Sequence, residues 1–476
     1  MARNVKSVFK MGLMVFTLIT LASIFNIRKF PTMAETQWQL IAFTFMAVIM
    51  YLVPTSLVSS ELATGWPENG GIYLWVKEAF GQRWGFTAAW LQWFMMTITF
   101  VVALSTIAAT LAYVFNPALA TNKPYQFVVI LVVWWALTFV NLKGLKTYSW
   151  ISTTFVIVGM LIPTVLLIIG GLWFVLSGHT VQMTLHPTLK AFIPDFSNIN
   201  SIVLLTTFVF LFMGIEMSAA HVKEIVNVKR NYPLALLIVG VVTICLSIPG
   251  ALLVGMIVPN SNLNLLSGIM QAFVGILGPL FGWLVAVIAL LHVLGGIGEA
   301  STWALGPVRN LVTTARDGNL PPALQKLNKN GIPANMMFVQ AGFITFWAVI
   351  QFILPGGVNS AYWILSSLAT AVYILMYFFM YAAAIKLRYK HPEVKRPFAI
   401  PGGKVGIWLV AGWGIVAMVI LLALSLIPPN QISFSKISPF VYFLGMGIGT
   451  LIVLAIPLVI YKLKKPSWKT TDESTN

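Results

Sequence analysis

The chain has 476 residues, of which 59% are hydrophobic and only 9% are charged, with a mean hydropathy of +0.89. A soluble domain carries about 25% charged residues, so the composition describes a polytopic membrane protein and excludes a soluble globular domain. The net charge of +17 is dispersed over short loops and reads as a topology signal rather than a nucleic-acid footprint. The one cysteine, Cys245, lies in an apolar run, which excludes an intramolecular disulfide framework and a cysteine-based metal site.

In chain order, apolar runs near the roughly 20 residues needed to cross a bilayer occur twelve times. They fall at about 9–30, 38–60, 84–115, 126–142, 150–177, 201–222, 233–258, 281–307, 336–355, 359–385, 405–428 and 438–461. The basic start (Arg3, Lys6, Lys10) leads into the first run, which ends in Arg28-Lys29-Phe30-Pro31 without a small-residue cleavage site, so no cleavable signal peptide is expected. The connections at about 61–83 and 308–335 carry amphipathic-looking pieces with Gly and Pro punctuation. The final stretch, 463–476, reads as a polar, disordered cytoplasmic tail.

With the N-terminus inside, 24 of the 29 Lys and Arg fall in cytoplasmic segments, and Arg28, Lys29, Lys123, Lys190 and Lys436 fall outside. Both termini are therefore expected in the cytoplasm. Arg28 and Lys29 are expected to end the first helix at the outer surface and snorkel to headgroups. The alternative is that Arg28 faces the entry path and attracts an anionic or zwitterionic substrate.

The sixth run, TTFVFLFMGIEMSAAHVKEIVNVKRNYP, places Gly214 and then Glu216 inside an otherwise apolar helix. A carboxylate at membrane depth is costly unless it faces a cavity or a partner, so Glu216 is a candidate for a substrate-side or gating group. Gly214 lets the backbone open, which membrane depth tolerates only where it lines protein or water. Such an interruption beside an ionisable group is how transporter binding sites are built. In the eighth run, Glu299 follows Gly295-Gly296-Ile297-Gly298 and is a candidate for proton coupling or for contact with a cation. The glycines themselves suit close helix packing, since no strand precedes them as a phosphate loop would require. His292 lies seven residues before Glu299 on the same helical face. It is either a neutral histidine satisfied inside the bundle or a pH-responsive group. Phe210 and Trp303 read as packing aromatics, and Trp90, Trp93, Trp134 and Trp135 as core or interface aromatics. Lys223, Lys229 and Arg230 set topology, and His221 sits at the same inner end as a further candidate for pH gating.

Runs one to five (1–178) and six to ten (199–390) form two halves, each opening with an interrupted helix, and 405–462 adds two more helices. Five spans per half make the second enter the membrane from the opposite side, an inverted repeat.

Several long motifs resemble the amino acid–polyamine–organocation (APC) superfamily of transporters: ELATGWPENGGIYLWVKEAFGQRWGF from Glu61, FMGIEMSAAHVKEIVNVKRNYPLAL, GEASTWALGPVRNLVTTARDGNLPPALQKLNKNGIP and YKHPEVKRPFAIPGG. Through MGIEMSAAHV, GPVRNLVTTA and LNKNGIP the nearest resemblance is to the bacterial glutamate:GABA antiporter branch, over residues 8–462. The resemblance implies an all-α membrane protein with the leucine-transporter (LeuT-like) fold. That fold has twelve transmembrane helices, a 5+5 inverted repeat with helices 1 and 6 broken at the substrate, and additional helices 11 and 12. Carried over by position, it implies substrate contacts at Ser23, Ile24, Phe25 and Asn26 in helix 1, and at Gly214, Ile215 and Glu216 in helix 6. An aromatic gate is implied at Phe210, and a ring packing on substrate at Trp303. Many relatives break helix 1 at a Gly-Ser-Gly element that this chain replaces with Ser23-Ile24-Phe25-Asn26.

The resemblance further implies a multi-pass bacterial cell-membrane antiporter. It would exchange an external amino acid for its intracellular decarboxylation product, as in glutamate/GABA or tyrosine/tyramine exchange, with a functional link to a decarboxylase and to acid resistance. A proton-coupled amino acid importer and a non-transporting sensor of the same fold are the alternatives. The expected partners are amino acid and amine substrates and the lipid bilayer, with no nucleic acid and no cofactor. An enzyme is not expected, because the five histidines are scattered and no metal spacing or nucleophile elbow occurs. No repeated filter motif suggests a channel. The family's antiporters carry a long C-terminal plug; about fifteen residues follow the last helix here, so weaker pH gating of that kind is expected.

Overall fold

The computed structural model describes residues 10–67, 70–144, 157–278, 281–429 and 438–469. The first part of the fifth run, the 145–148 loop, Lys436, residues 470–476 and the side chains of Ser23 and His221 lie outside the described residues.

Helix α1 (Leu13–Ile24) ends where Phe25 (ψ 123°) and Asn26 (φ −150°) turn extended. Asn26 Oδ1 accepts the Arg28 N–H at 2.9 Å, the kind of local bond with which Asn competes against the helical ladder. The chain resumes through a single 3₁₀ turn (Ile27–Lys29) into α2 (Phe30–Ala34), where Pro31 occupies a first-turn position that needs no N–H. The two pieces are bent by 40°. Then come α3 (Gln37–Gly65), the short amphipathic α4 (Ile72–Phe80), α5 (Gln82–Phe115), α6 (Lys123–Asn141) and α7 (Val158–Leu176).

The second interruption has a different cause. Helix α8 (Leu205–Phe212) stops at extended Met213, and Gly214 takes φ +102°, a region that glycine alone enters without strain. The chain then continues as a 3₁₀ segment, Ile215–Glu224, and not as α-helix. Next are α9 (Val228–Ile257), α10 (Gly268–Leu277), α11 (Gly282–Thr314), α12 (Ala334–Ile353), α13 (Gly357–Lys390), α14 (Gly403–Ser425) and α15 (Pro439–Leu463). The two interrupted helices are tied at their ends: Met11 N–H donates to Glu224 O at 2.6 Å, and Val226 N–H donates to Met11 O at 2.9 Å.

Among the described residues, ten helices are long and apolar enough to cross a membrane, and the bent pair α1–α2 makes an eleventh. The protein is a multi-pass membrane protein. Burial separates centre from periphery: 78% of the most apolar stretch is buried in α5 and in α13, against 22% in α15. Outward-facing Leu237, Leu409 and Leu451 are exposed and apolar, as a lipid-facing surface requires. Helix α11 packs against the start of α7 through glycine. A Cβ on Gly159 would lie 2.3 Å from Gly295 N, so any side chain at either position would separate the two backbones.

Two expectations are corrected. Arg28 and Lys29 do not snorkel at an outer surface but are buried, with 8% and 6% exposed. The first span breaks at Asn26 and continues to Ala34, which carries both cations into the bundle. The stretch after α15 is structured over its described residues, Lys464–Lys469. Pro466–Trp468 forms a 3₁₀ turn, and Gln325 Nε2 donates to Trp468 O at 2.7 Å. Gly318 supplies the space: a Cβ there would come within 3.2 Å of the Lys469 backbone.

Candidate functional site

The two breaks face one cavity. Ile24, Arg28 and Lys29 line it from the first interrupted helix, and Phe210, Met213, Gly214 and Met217 from the second. Helix α5 contributes Met95, Met96, Thr99 and Phe100; α11 contributes Glu299 and Trp303; α13 contributes Tyr373. Half of the lining residues carry a thioether or an aromatic ring, and the charged groups are few and concentrated, which is the usual make-up of a small-molecule site.

Of the residues singled out in the sequence, Ile24, Phe210, Gly214, Glu299 and Trp303 meet at this cavity. Phe25, Asn26, Ile215, Glu216 and His292 are buried but are not on its wall. His292 Nδ1 lies 3.2 Å from Gly159 O at the glycine crossing.

Charge on the wall is arranged in two units. Arg28 Nη1 pairs with Glu299 Oε2 at 2.7 Å, and Asn26 Nδ2 donates to the same oxygen. Both ions are buried, where removing either partner would leave the other uncompensated. Lys29 Nζ donates to Phe210 O at 2.9 Å and to Leu211 O at 3.1 Å, and stands 5.0 Å from the Phe210 ring centroid. Those carbonyls belong to the last turn of α8, where a helix leaves its C=O groups unpaired and its dipole favours a cation. Lys29 has no ion-pair partner among the described residues. Its role was not found from the sequence. The available signal was a basic pair placed before a Pro that can open a new helical turn.

Glu216 is 2% exposed and faces away from the cavity into a cluster of hydroxyls. Tyr373 donates to Oε1, Tyr377 to Oε2 at 2.6 Å, and Gln92 Nε2 to Oε1 at 3.3 Å. Tyr51 donates to the Tyr377 oxygen, which also accepts the Gly214 N–H at 3.3 Å. Asn310 Nδ2 orients Gln92 through its Oε1 at 3.0 Å. The carboxylate is thus linked to the break at Gly214 through Tyr377, and to the cavity wall through Tyr373. None of the three tyrosines is identifiable from sequence as a partner, because Tyr51, Tyr373 and Tyr377 sit in ordinary apolar runs.

A separate cluster joins α4 to the residues that follow α11. Lys77 Nζ donates to Asp317 Oδ2 at 2.6 Å and the Tyr73 hydroxyl donates to the same oxygen. Burial, reinforced by the Asp317 carboxylate, pushes the Tyr73 hydroxyl well above its usual range, so it stays a proton donor. Among the described residues no group of three His, Cys, Asp or Glu is placed to hold a metal ion.

The amino acid permease family model matches residues 7–453. The chain is 36% identical over 456 residues to an uncharacterised transporter of Legionella pneumophila, covering 95% of this chain and 97% of that one. It is 32% identical to a glutamate/gamma-aminobutyrate antiporter of Lactococcus lactis, covering 95% of this chain and 90% of the relative. A probable agmatine/putrescine antiporter of the same species is 27% identical, over 88% of this chain and 87% of its own.

Proposed function

Because the chain belongs to the amino acid permease family of transporters and is not an enzyme, we propose that it is an antiporter that exchanges an acidic amino acid for its decarboxylation product, as in glutamate/GABA exchange. The observation that carries this reading is Lys29, a buried amine on the cavity wall that makes no ion pair among the described residues. With Arg28 and Glu299 paired, Lys29 leaves the lining one basic group in excess, which suits a substrate with one carboxylate more than it has ammonium groups. The name of the Lactococcus relative supports the same pair. Decarboxylation inside the cell would consume a proton for each molecule exchanged, which would link the antiporter to acid resistance.

The mechanism is alternating access about the two breaks. Counting α1–α2 as one span and α8 with Ile215–Glu224 as another gives twelve, in an inverted repeat of five plus five, with α14 and α15 added. Both termini lie in the cytoplasm. With Arg28 and Lys29 inside the bundle, only Lys123, Lys190 and Lys436 remain as outer basic residues, which sharpens the charge asymmetry. Phe210 and Trp303 enclose the substrate, and Glu216 gates by holding the break at Gly214 through Tyr377.

Proton-coupled import is the second reading, and Glu216 favours it. A carboxylate held by hydroxyls and an amide, with no cation, can change protonation without breaking an ion pair.

Counterflow in proteoliposomes separates these readings. Vesicles loaded with glutamate or GABA should take up labelled glutamate, and empty vesicles should not. Uptake into empty vesicles driven by a pH gradient would replace exchange with import. In Lys29→Met, glutamate uptake should fall at least about tenfold while uptake of neutral amino acids changes less, since a hydrogen bond to a charged group is worth roughly 1.5–3 kcal/mol.

A further inference from the structure

Beyond Phe210 lies a second, small chamber whose wall shares only Lys29 and Phe210 with the first. It sits toward the beginning of α8 and α13, where Thr206, Thr207, Ser367 and Thr370 line it and no carboxylate does among the described residues; the Thr206 and Thr370 hydroxyls already donate to the Val203 and Ser366 carbonyls. Two of its polar groups are unused. Trp363, only 3% exposed, has an indole N–H without a hydrogen-bond partner, and so does the buried Ser366 hydroxyl. A buried donor left unpaired is costly, and native structures rarely leave two in one place without a reason. Lys29 adds to them: an ammonium has three protons, and Lys29 gives two contacts to the carbonyls of Phe210 and Leu211. We propose that this chamber is a binding site for a small monovalent anion, a carboxylate or a halide. The anion is held by the Trp363 N–H, the Ser366 hydroxyl and the remaining Lys29 proton.

The chemistry on the wall selects for charge and size. An indole N–H is only a donor, an ammonium is only a donor, and hydroxyls turn to donate when an anion is present. A cation would meet Lys29 and find no carboxylate. A neutral apolar ligand would leave the indole and Ser366 unsatisfied. Because Lys29 borders both chambers, an anion in the second one neutralises the cation that faces the first. Occupancy here would therefore alter how strongly the main cavity attracts a carboxylate, whichever substrate is transported.

The test reads binding directly. Detergent-solubilised full-length protein is titrated with chloride and followed by chlorine-35 NMR line broadening, then challenged with acetate. Wild type should show saturable excess broadening, and Trp363→Phe combined with Ser366→Ala should weaken the apparent affinity about tenfold. Thr207→Val, a milder change on the same wall, should weaken it less and guards against misfolding of the double variant. Displacement of chloride by acetate identifies the site as one for carboxylates, including that of a transported amino acid, whereas broadening that resists acetate identifies a halide site. No saturable broadening in wild type, or equal broadening in wild type and in the folded variants, overturns the proposal.

Discussion

The Glu216 side chain accepts from Tyr373, Tyr377 and Gln92 and pairs with no cation among the described residues. Glu216→Gln replaces an acceptor oxygen with an NH₂ that faces tyrosine donors. Exchange in proteoliposomes should drop by more than about tenfold while the protein remains monodisperse, since each bond to a charged group is worth roughly 1.5–3 kcal/mol. Tyr377→Phe should move exchange the same way and Tyr381→Phe much less, because Tyr381 pairs with Thr55 instead; unchanged exchange in Tyr377→Phe would remove the hydroxyl link from gating. At the ion pair the expectation concerns stability. Glu299→Ala leaves Arg28 buried and uncompensated and should cost about 3–5 kcal/mol, seen as a fall in detergent melting temperature. Arg28→Met with Glu299→Met should recover most of that loss without recovering exchange. Glu216 and Glu299 were legible in the sequence because acidic residues inside apolar runs are rare and demand a reason. Arg28 and Lys29 were not, since a basic pair ending an apolar run looks the same at a membrane boundary as inside a helix that breaks and resumes.

The two interruptions differ as elements, and so should their tolerance to change. Gly214 needs φ +102°, so Gly214→Ala imposes strain of about 1–3 kcal/mol whatever the space around it. The first break needs no positive φ; it rests on the Asn26 side chain and on Pro31. Asn26→Ala removes the bond to Arg28 N–H and one donor to Glu299, and should shift the melting temperature less than Gly214→Ala. The reverse order in a thermal melt would show that the first break is the more constrained. The glycine crossing is stricter than either. Gly295→Val would force α11 away from Gly159 and should destabilise by at least the roughly 1–3 kcal/mol typical of overpacking. The ends of α5, α6, α12, α14 and α15 fell within a few residues of the apolar runs, because length and composition fix a span, whereas α11 runs on to Thr314 and α10 (Gly268–Leu277) matched no run. The second break was legible through Gly214. The 3₁₀ continuation after it was not, because its path is set by tyrosines from distant helices.

At the scale of the molecule, composition alone was enough to identify a multi-pass membrane protein, and motif order was enough to identify the family. What required coordinates was the pairing of distant groups: Glu216 with Tyr373, Arg28 with Glu299, and Tyr73 with Asp317. Reporter fusions at either terminus should be active only when the reporter works in the cytoplasm, and activity of a periplasm-dependent reporter at the C-terminus would invert the topology proposed above. The backbone bridge between Met11 and the Glu224–Val226 segment has a further consequence for motion. It ties the start of the first interrupted span to the end of the second, so the two ends are expected to move together. Spin labels near Leu13 and Val228 should keep a constant separation in every stage of turnover, while either label should change its distance to a third on α5.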